Sequence, residues 1–334
     1  MLKTNSVLLS LFLVLFVGHQ AGRAQKPVHE GVTLYKARKF SEAASLLGRA
    51  VKQKEHKTDG QLWNYLGLSY VEISNDKKAI KAFQTAAKLD PANATYLVNH
   101  GYLLLMNRQI NKAQSQIERA LKLDPNNYQG IYIRGVSNFW EGKLELTMAD
   151  AERIIILDPA NEQGYILKSD VLIAQLGRRV SAGATVKDEI DYLKQALDIL
   201  VLGNSLVKDS KRTTIAKEVE AKSAFYEYFS RPKPDPLTEN PGPEPGVTPL
   251  KVLTKQKAAY TDRARVANIQ GTITIATLFG ASGKIEQVMI LKGLGYGLDE
   301  QALRALRQIT FEPQKKDGKP VSTVRPVTFS FNIH

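Results

Sequence analysis

The sequence predicts a multidomain chain of α plus α/β class: an α-solenoid of paired helices, a proline-rich connector and a small α+β domain. Three observations predict it. A proline preceded by Leu-Asp recurs every 34 residues, at Pro91, Pro125 and Pro159. Seven of the 14 prolines fall between Arg231 and Pro249. Beyond them the apolar period changes from the 3.6 of a helix to the 2 of a strand.

The 34-residue step is kept by Gly67, Gly101 and Gly135, by Ala79 and Ala113, by Ala86 and Ala120, and by Asn93, Asn127 and Asn161. A fixed period of this length belongs to stacked helical hairpins, each burying its apolar face on the next. Such arrays hold other molecules, so binding is the first functional reading. Within Gly60 to Asn93, Trp63, Leu66, Gly67 and Tyr70 share one helix at helical spacing, and Ala79, Phe83, Ala86 and Ala87 share a second. Pro91 ends that second helix and Asn93 can cap the next. These residues resemble the tetratricopeptide repeat, whose pattern Trp63, Leu66, Gly67, Tyr70, Ala79, Phe83, Ala86 and Pro91 follow. Units are expected at 25–59, 60–93, 94–127, 128–161 and 162–203, with a capping helix over 204–230. The unit at 128–161 carries Thr147 and Ile154 where alanine is expected, and the fifth is expected to break between Gly177 and Gly183. The resemblance implies a concave wall built from Asn64, Leu68, Val98, Tyr102, Leu105, Tyr132, Val136, Phe139 and Ile166, suited to a helix or an extended peptide. Packing between tight units is an equal use for the same side chains.

From Arg231 to Pro249 the proline density favours an extended spacer, about 60 Å long at roughly 3.1 Å per residue. After it, Thr272 to Phe279 alternates as a strand, Gly280 to Gly283 turns, and Ile285 to Leu291 returns. Asp299 can cap a helix through Ala302, Leu303, Ala305 and Leu306, and Val321 to Ile333 alternates again. The order is strand, strand, helix, strand, with a short helix within 257–268 in front. This region resembles the C-terminal domain of TonB, a family that links an inner-membrane motor to outer-membrane receptors. Tyr260, Ala264-Arg265, Gly271-Thr272-Ile273, Phe279, Ser282-Gly283, Gly293 to Asp299, Phe311-Glu312-Pro313, Gly318 to Val321 and Val327 to Phe331 carry the resemblance. Thr261 replaces a customary proline, and Ile309 stands where tryptophan is frequent. The last strand, read as an edge, offers unpaired backbone groups for an added strand, with Val324, Arg325, Val327, Thr328, Phe329, Ser330 and Phe331 as the partner-binding residues. Pro326 within it must mark a ladder break or an outward position.

The N-terminus reads as a secretory signal: Lys3, an apolar run from Val7 to Val17, and small residues at Gly22-Arg23-Ala24. Eleven residues span about 17 Å as a helix against a hydrocarbon core of roughly 30 Å. Membrane contact is therefore expected only through an uncleaved N-terminus. His19 has no serine four residues before it (Leu15 is there), so the motor-coupling signature that the resemblance implies is missing. Cysteine is absent, which excludes disulfides and thiol chemistry. The net charge is +13, of which +7 lies in residues 250–334. No arginine-rich run with interleaved aromatics supports nucleic-acid binding.

Gly293, Gly295 and Gly297 lie between strand and helix, where phosphate loops occur, but the spacing is not that of a dinucleotide fingerprint and Asp299 and Glu300 follow at once. The five histidines show no ligand spacing, and no catalytic, metal or cofactor motif emerges. The sequence reads as a non-enzymatic envelope protein of the periplasm. The resemblances imply binding of proteins or peptides in the solenoid and of an outer-membrane receptor or other partner through the C-terminal domain, in TonB-dependent transport. The alternative is a scaffold whose basic C-terminal domain contacts peptidoglycan or an anionic surface. Intact-mass measurement of the protein from the envelope fraction is expected to give a chain starting at Gln25; retention of Met1 would restore the membrane-anchored reading.

Overall fold

The computed structural model describes residues 29–207, 214–230 and 245–332. The secretory segment and most of the expected spacer lie outside the described residues. Two compact units divide between Ser137 and Asn138.

The first unit holds α1 (Glu30–Lys36), α2 (Phe40–Ala50), α3 (Gly60–Glu72), α4 (Asp76–Leu89), α5 (Ala94–Met106), α6 (Ile110–Leu123) and the greater part of α7 (Tyr128–Trp140). The recurrent asparagines are its caps. Asn93 Oδ1 accepts from the Tyr96 amide and Asn127 Oδ1 from the Gly130 amide, each satisfying an N–H that the first turn leaves open. The recurrent glycines mark where the paired helices meet. A Cβ on Gly67 would lie 2.6 Å from the Phe83 ring, and one on Gly101 would lie 2.7 Å from Ile117. Between the helices of a pair, Ser74 and Arg108 adopt left-handed φ of 58° and 60°. The amides that follow close the turn identically, Asn75 onto Tyr70 O and Gln109 onto Leu104 O. Leu47, Leu66, Leu68 and Phe83 fill the core between pairs.

The second unit continues with α8 (Leu144–Leu157), α9 (Glu162–Ser181), α10 (Ile190–Leu206) and α11 (Thr214–Ser230). Then come β1 (Val247–Thr248), β2 (Lys251–Thr254), α12 (Asp262–Val266), β3 (Gly271–Phe279), β4 (Ile285–Lys292) and α13 (Leu298–Leu306). β5 (Thr310–Glu312), β6 (Lys315–Lys316), β7 (Lys319–Pro320) and β8 (Thr323–Phe331) complete it. The main sheet is antiparallel in the order β4-β3-β8, with smaller sheets β2-β5 and β1-β6-β7. The expected strand, strand, helix, strand order is β3, β4, α13, β8.

Alternation along β3 divides its side chains between two buried faces. Ile273, Ile275 and Phe279 pack with Leu298, Ala302 and Leu306 of α13. Ala276 and Leu278, with Met289 and Leu291 of β4, pack instead against Leu172 and Leu176 of α9, Leu193 of α10 and Phe225 of α11. The sheet is thus a middle layer between α13 and the last solenoid helices. This contact joins β4 to α9 directly. Gly177 shows how it is made. The break expected between Gly177 and Gly183 falls at Ser181, where α9 ends, so Gly177 itself lies within the helix. A Cβ on Gly177 would meet the Ile290 carbonyl of β4 at 3.4 Å, so this glycine sits where helix and strand approach closely rather than at a helix end.

Charge is buried in this layer. Lys222 Nζ donates to Glu218 Oε2 at 2.8 Å within α11, and Gln287 of β4 donates to Glu218 Oε1 at 3.1 Å. Asp170 of α9 stands beside that pair, with Oδ2 buried and without a hydrogen-bond partner. Lys222 is already matched by Glu218, so an ionised Asp170 would leave one negative charge in excess. Burial accordingly pushes its carboxyl from the ordinary 3.8 to about 8, with Lys222 pulling it down and Glu218 pushing it up.

Two measurements follow from this packing. Gly67→Ala is expected to cost about 1–3 kcal/mol in urea unfolding, because the added methyl must displace Phe83. Gly48→Ala, whose Cβ would meet its nearest neighbour at 3.5 Å, should be tolerated. Asp170 keeps its proton in the folded chain up to about pH 8, whereas the unfolded chain releases it near 3.8. The unfolded state therefore binds fewer protons across that window, and stability falls as pH rises through it. Asp170→Asn should remove this slope and stabilise the protein at pH 7 by about 1–3 kcal/mol. An unchanged pH profile in Asp170→Asn would refute the assignment.

Candidate functional site

Among the described residues the main sheet ends in two outer strands, β4 and β8, each paired only with β3. The β3–β4 ladder shifts register twice, between Thr274 and Ile275 and between Leu278 and Phe279. Such irregularities twist an edge away from flat pairing. The β3–β8 ladder runs nine pairs without a shift, from Gly271↔Phe331 to Phe279↔Thr323. β8 is the long, regular edge.

Its free groups follow from one residue. Pro326 pairs with Ala276 inside this unbroken ladder. Proline has no N–H, so its position fits the ladder where the backbone turns away from β3. A period of 2 then turns Val324, Thr328 and Ser330 outward as well. Two contacts share that parity. Lys255 Nζ donates to Thr328 O at 2.7 Å, and Arg325 Nη1 donates to Val324 O at 3.3 Å. The outward edge therefore presents N–H groups at 324, 328 and 330 and carbonyls at all four positions, of which those of Val324 and Thr328 are held by the two cations.

The side chains expected to bind a partner divide by face. Val324, Val327, Phe329 and Phe331 are buried, whereas Arg325, Thr328 and Ser330 are exposed. Phe331 meets Tyr260 edge-on with centroids 5.6 Å apart. The first group holds the strand in the sheet, which leaves the outward backbone groups and the exposed side chains accessible. The Lys255 ammonium sits 5.0 Å from the Phe329 ring centroid. Sequence reasoning missed Lys255, 73 residues before its acceptor; nothing local in the sequence links the two.

The solenoid wall is arranged differently from an open groove. Asn64, Leu68, Val98, Leu105, Tyr132, Val136 and Phe139 are all buried, and Tyr102 is half-buried. Asn64 accepts a hydrogen bond from Asn99 at 2.9 Å, joining successive first helices. Phe139 packs with Leu144, Val171 and Ala174. These side chains pack between helices, and Tyr102 keeps part of its surface exposed. Burial holds the Tyr102 hydroxyl up at about 12, with Asp76 adding to the rise.

The glycine loop is satisfied from within. Asp299 accepts from the amides of Leu294 and Gly295 at 2.9 and 3.1 Å, using N–H groups that a phosphate would need. Its carboxyl is pushed up by burial against those two hydrogen bonds, which lower it. The helix cap lies at Gly297, with φ 81°, rather than at Asp299.

Residues 256–333 match the family model described as Gram-negative bacterial TonB protein C-terminal, and residues 30–94 and 94–127 match tetratricopeptide repeat models. The chain carries tetratricopeptide repeats and a TonB C-terminal domain. The TonB domain thus begins just before α12 and holds the β8 edge, and the matched repeats cover α1 to α6. Among curated proteins, peroxisome biogenesis protein 5 of Arabidopsis thaliana is 33% identical over 86 residues, 26% of this chain and 11% of that protein. The chain thus spans about a tenth of that relative's length. Among solved structures, MamA from Desulfovibrio magneticus is 16% identical with a TM-score of 0.44, covering 55% of this chain and 94% of that one. A thermophilic tetratricopeptide protein of Thermus thermophilus is 15% identical with a TM-score of 0.46, covering 58% and 95%. The first such domain of Spaghetti, bound to an HSP90 peptide, is 22% identical with a TM-score of 0.34, covering 35% and 92%.

Proposed function

We propose that this is a non-enzymatic protein of the bacterial cell envelope, exported to the periplasm, whose TonB domain binds an extended segment of an outer-membrane receptor by strand addition to β8. The tetratricopeptide repeats serve as a scaffold for protein contacts. The observation that carries the reading is the nine-pair β3–β8 ladder, which leaves one regular edge with outward backbone groups at 324, 328 and 330. Strand addition at such an edge uses main-chain bonds for affinity and alternate side chains for choice of partner. Four to six added bonds at about 1 kcal/mol each give modest, reversible binding, as a coupling protein requires. The secretory form of the N-terminus supports export.

The test separates edge from fold. Ser330 faces its amide outward, so proline there removes a free donor while sparing the bonds to β3. A photo-crosslinking residue at Ser330, introduced in intact Gram-negative cells, is expected to capture a receptor. The captured segment is then titrated against purified variants. Ser330→Pro should weaken binding about tenfold, through a lost donor and the ring's clash with the added strand, and Ser330→Ala by less than about twofold. Both variants must keep the wild-type circular dichroism spectrum. Equal affinity of the two would exclude β8 as the recognition edge.

A further inference from the structure

Resting on the strand-addition reading, we propose that the segment accepted by the β8 edge is acidic: it carries two carboxylate side chains four residues apart on one face, which pair with Lys255 and Arg325.

An outward carbonyl on an exposed edge can be satisfied by water. Here Val324 O and Thr328 O are instead held by Arg325 and Lys255. An added strand brings its own N–H groups to these carbonyls and displaces both cations from them. The displaced charges stay tethered at the new junction, where part of their hydration is lost. An unpaired cation in that position is unfavourable, and a carboxylate on the added strand relieves it. Among the described residues neither Lys255 nor Arg325 pairs with a carboxylate, and residues 250–258 and 318–332, which carry the two cations, contain no aspartate or glutamate.

Geometry sets the spacing. Arg325 and Phe329 belong to the set of β8 residues on the α13 face, and the Lys255 ammonium lies over the Phe329 ring. Both cations therefore sit on one face, at the levels of residues 325 and 329. If 324, 326 and 328 bond to the incoming strand, 325 and 329 occupy its non-hydrogen-bonded pairs, where opposing side chains come closest. Acidic residues opposite them are four apart, about 13 Å along the strand, and share a face because the side-chain period is 2. Arg325 also donates to Gln314 Oε1 at 3.3 Å, a second contact that fixes its guanidinium.

Three peptides of seven alternating residues, identical except for glutamate, glutamine or lysine at the second and sixth positions, test this by fluorescence anisotropy with the full chain. The glutamate peptide is expected to bind about fivefold tighter than the glutamine peptide at low salt, and the lysine peptide weakest. The preference should shrink at about 0.5 M salt, where exposed pairs are screened. The double variant Lys255→Ala, Arg325→Ala should bind the glutamate and glutamine peptides alike. Ser330→Pro should weaken all three peptides. Equal binding of glutamate and glutamine peptides by the wild-type chain would overturn the acidic partner while leaving strand addition standing. Failure of all three peptides to bind would sink both. Cosedimentation with phosphatidylglycerol vesicles that is lost in the double variant but unaffected by Ser330→Pro, with no ranking among the peptides, would assign the cations to a lipid surface and overturn the proposal.

Discussion

Strand β3 has no free side, and much of the second unit is a consequence of covering it. Its two edges are occupied by β4 and β8, one face by α13 and the other by α9, α10 and α11. Full burial of a strand requires apolar residues of both parities, and β3 supplies them with Ile273 and Ile275 on one side and Ala276 and Leu278 on the other. Covering the second face takes helices that the small domain does not contain, so the end of the helical array provides them. Once both faces are closed, backbone at the outer strands is what the sheet has left to offer.

The helical cover also brings a polar problem into a dry layer. Glu218, Lys222 and Gln287 satisfy one another, and Asp170 joins them without a donor for Oδ2. Buried ionic groups of this kind add little to stability against an apolar filling. What they bear on is register, since a slide of α11 along β4 would separate Gln287 from Glu218 Oε1, while Lys222, on the same helix, would stay with Glu218.

Much of this was legible in the sequence because repetition and alternation are direct records of burial. The 34-residue step fixed the helix pairs, and the recurrent glycines and asparagines proved to be contact points and caps. Pro326 was legible in either of two ways, and the unbroken ladder chose the outward one. Three features were hidden. Ser74 and Arg108 hold left-handed turns without being glycine, so nothing in their type announces the conformation. Gly177 opens the range in which the helix was expected to end and does end, and only the partner strand shows that this glycine also serves a close approach. The wall residues from Asn64 to Phe139 read as a groove or as packing, and hydrophobic spacing is the same for both. The pairing of helix α9 with β4 was present as apolar residues of both parities along β3 and β4, a pattern that says a face is covered without saying by what.

The cations that guard the β8 edge bear also on the company this protein keeps with itself. A regular edge of nine residues is a template on which an identical edge could lie antiparallel, the usual route to runaway sheet growth. Two copies approaching that way would bring Arg325 and Lys255 of each against those of the other, and like charges across a new strand pair repel. Positive charge placed over its carbonyls thereby makes a regular edge a poor template for its own twin.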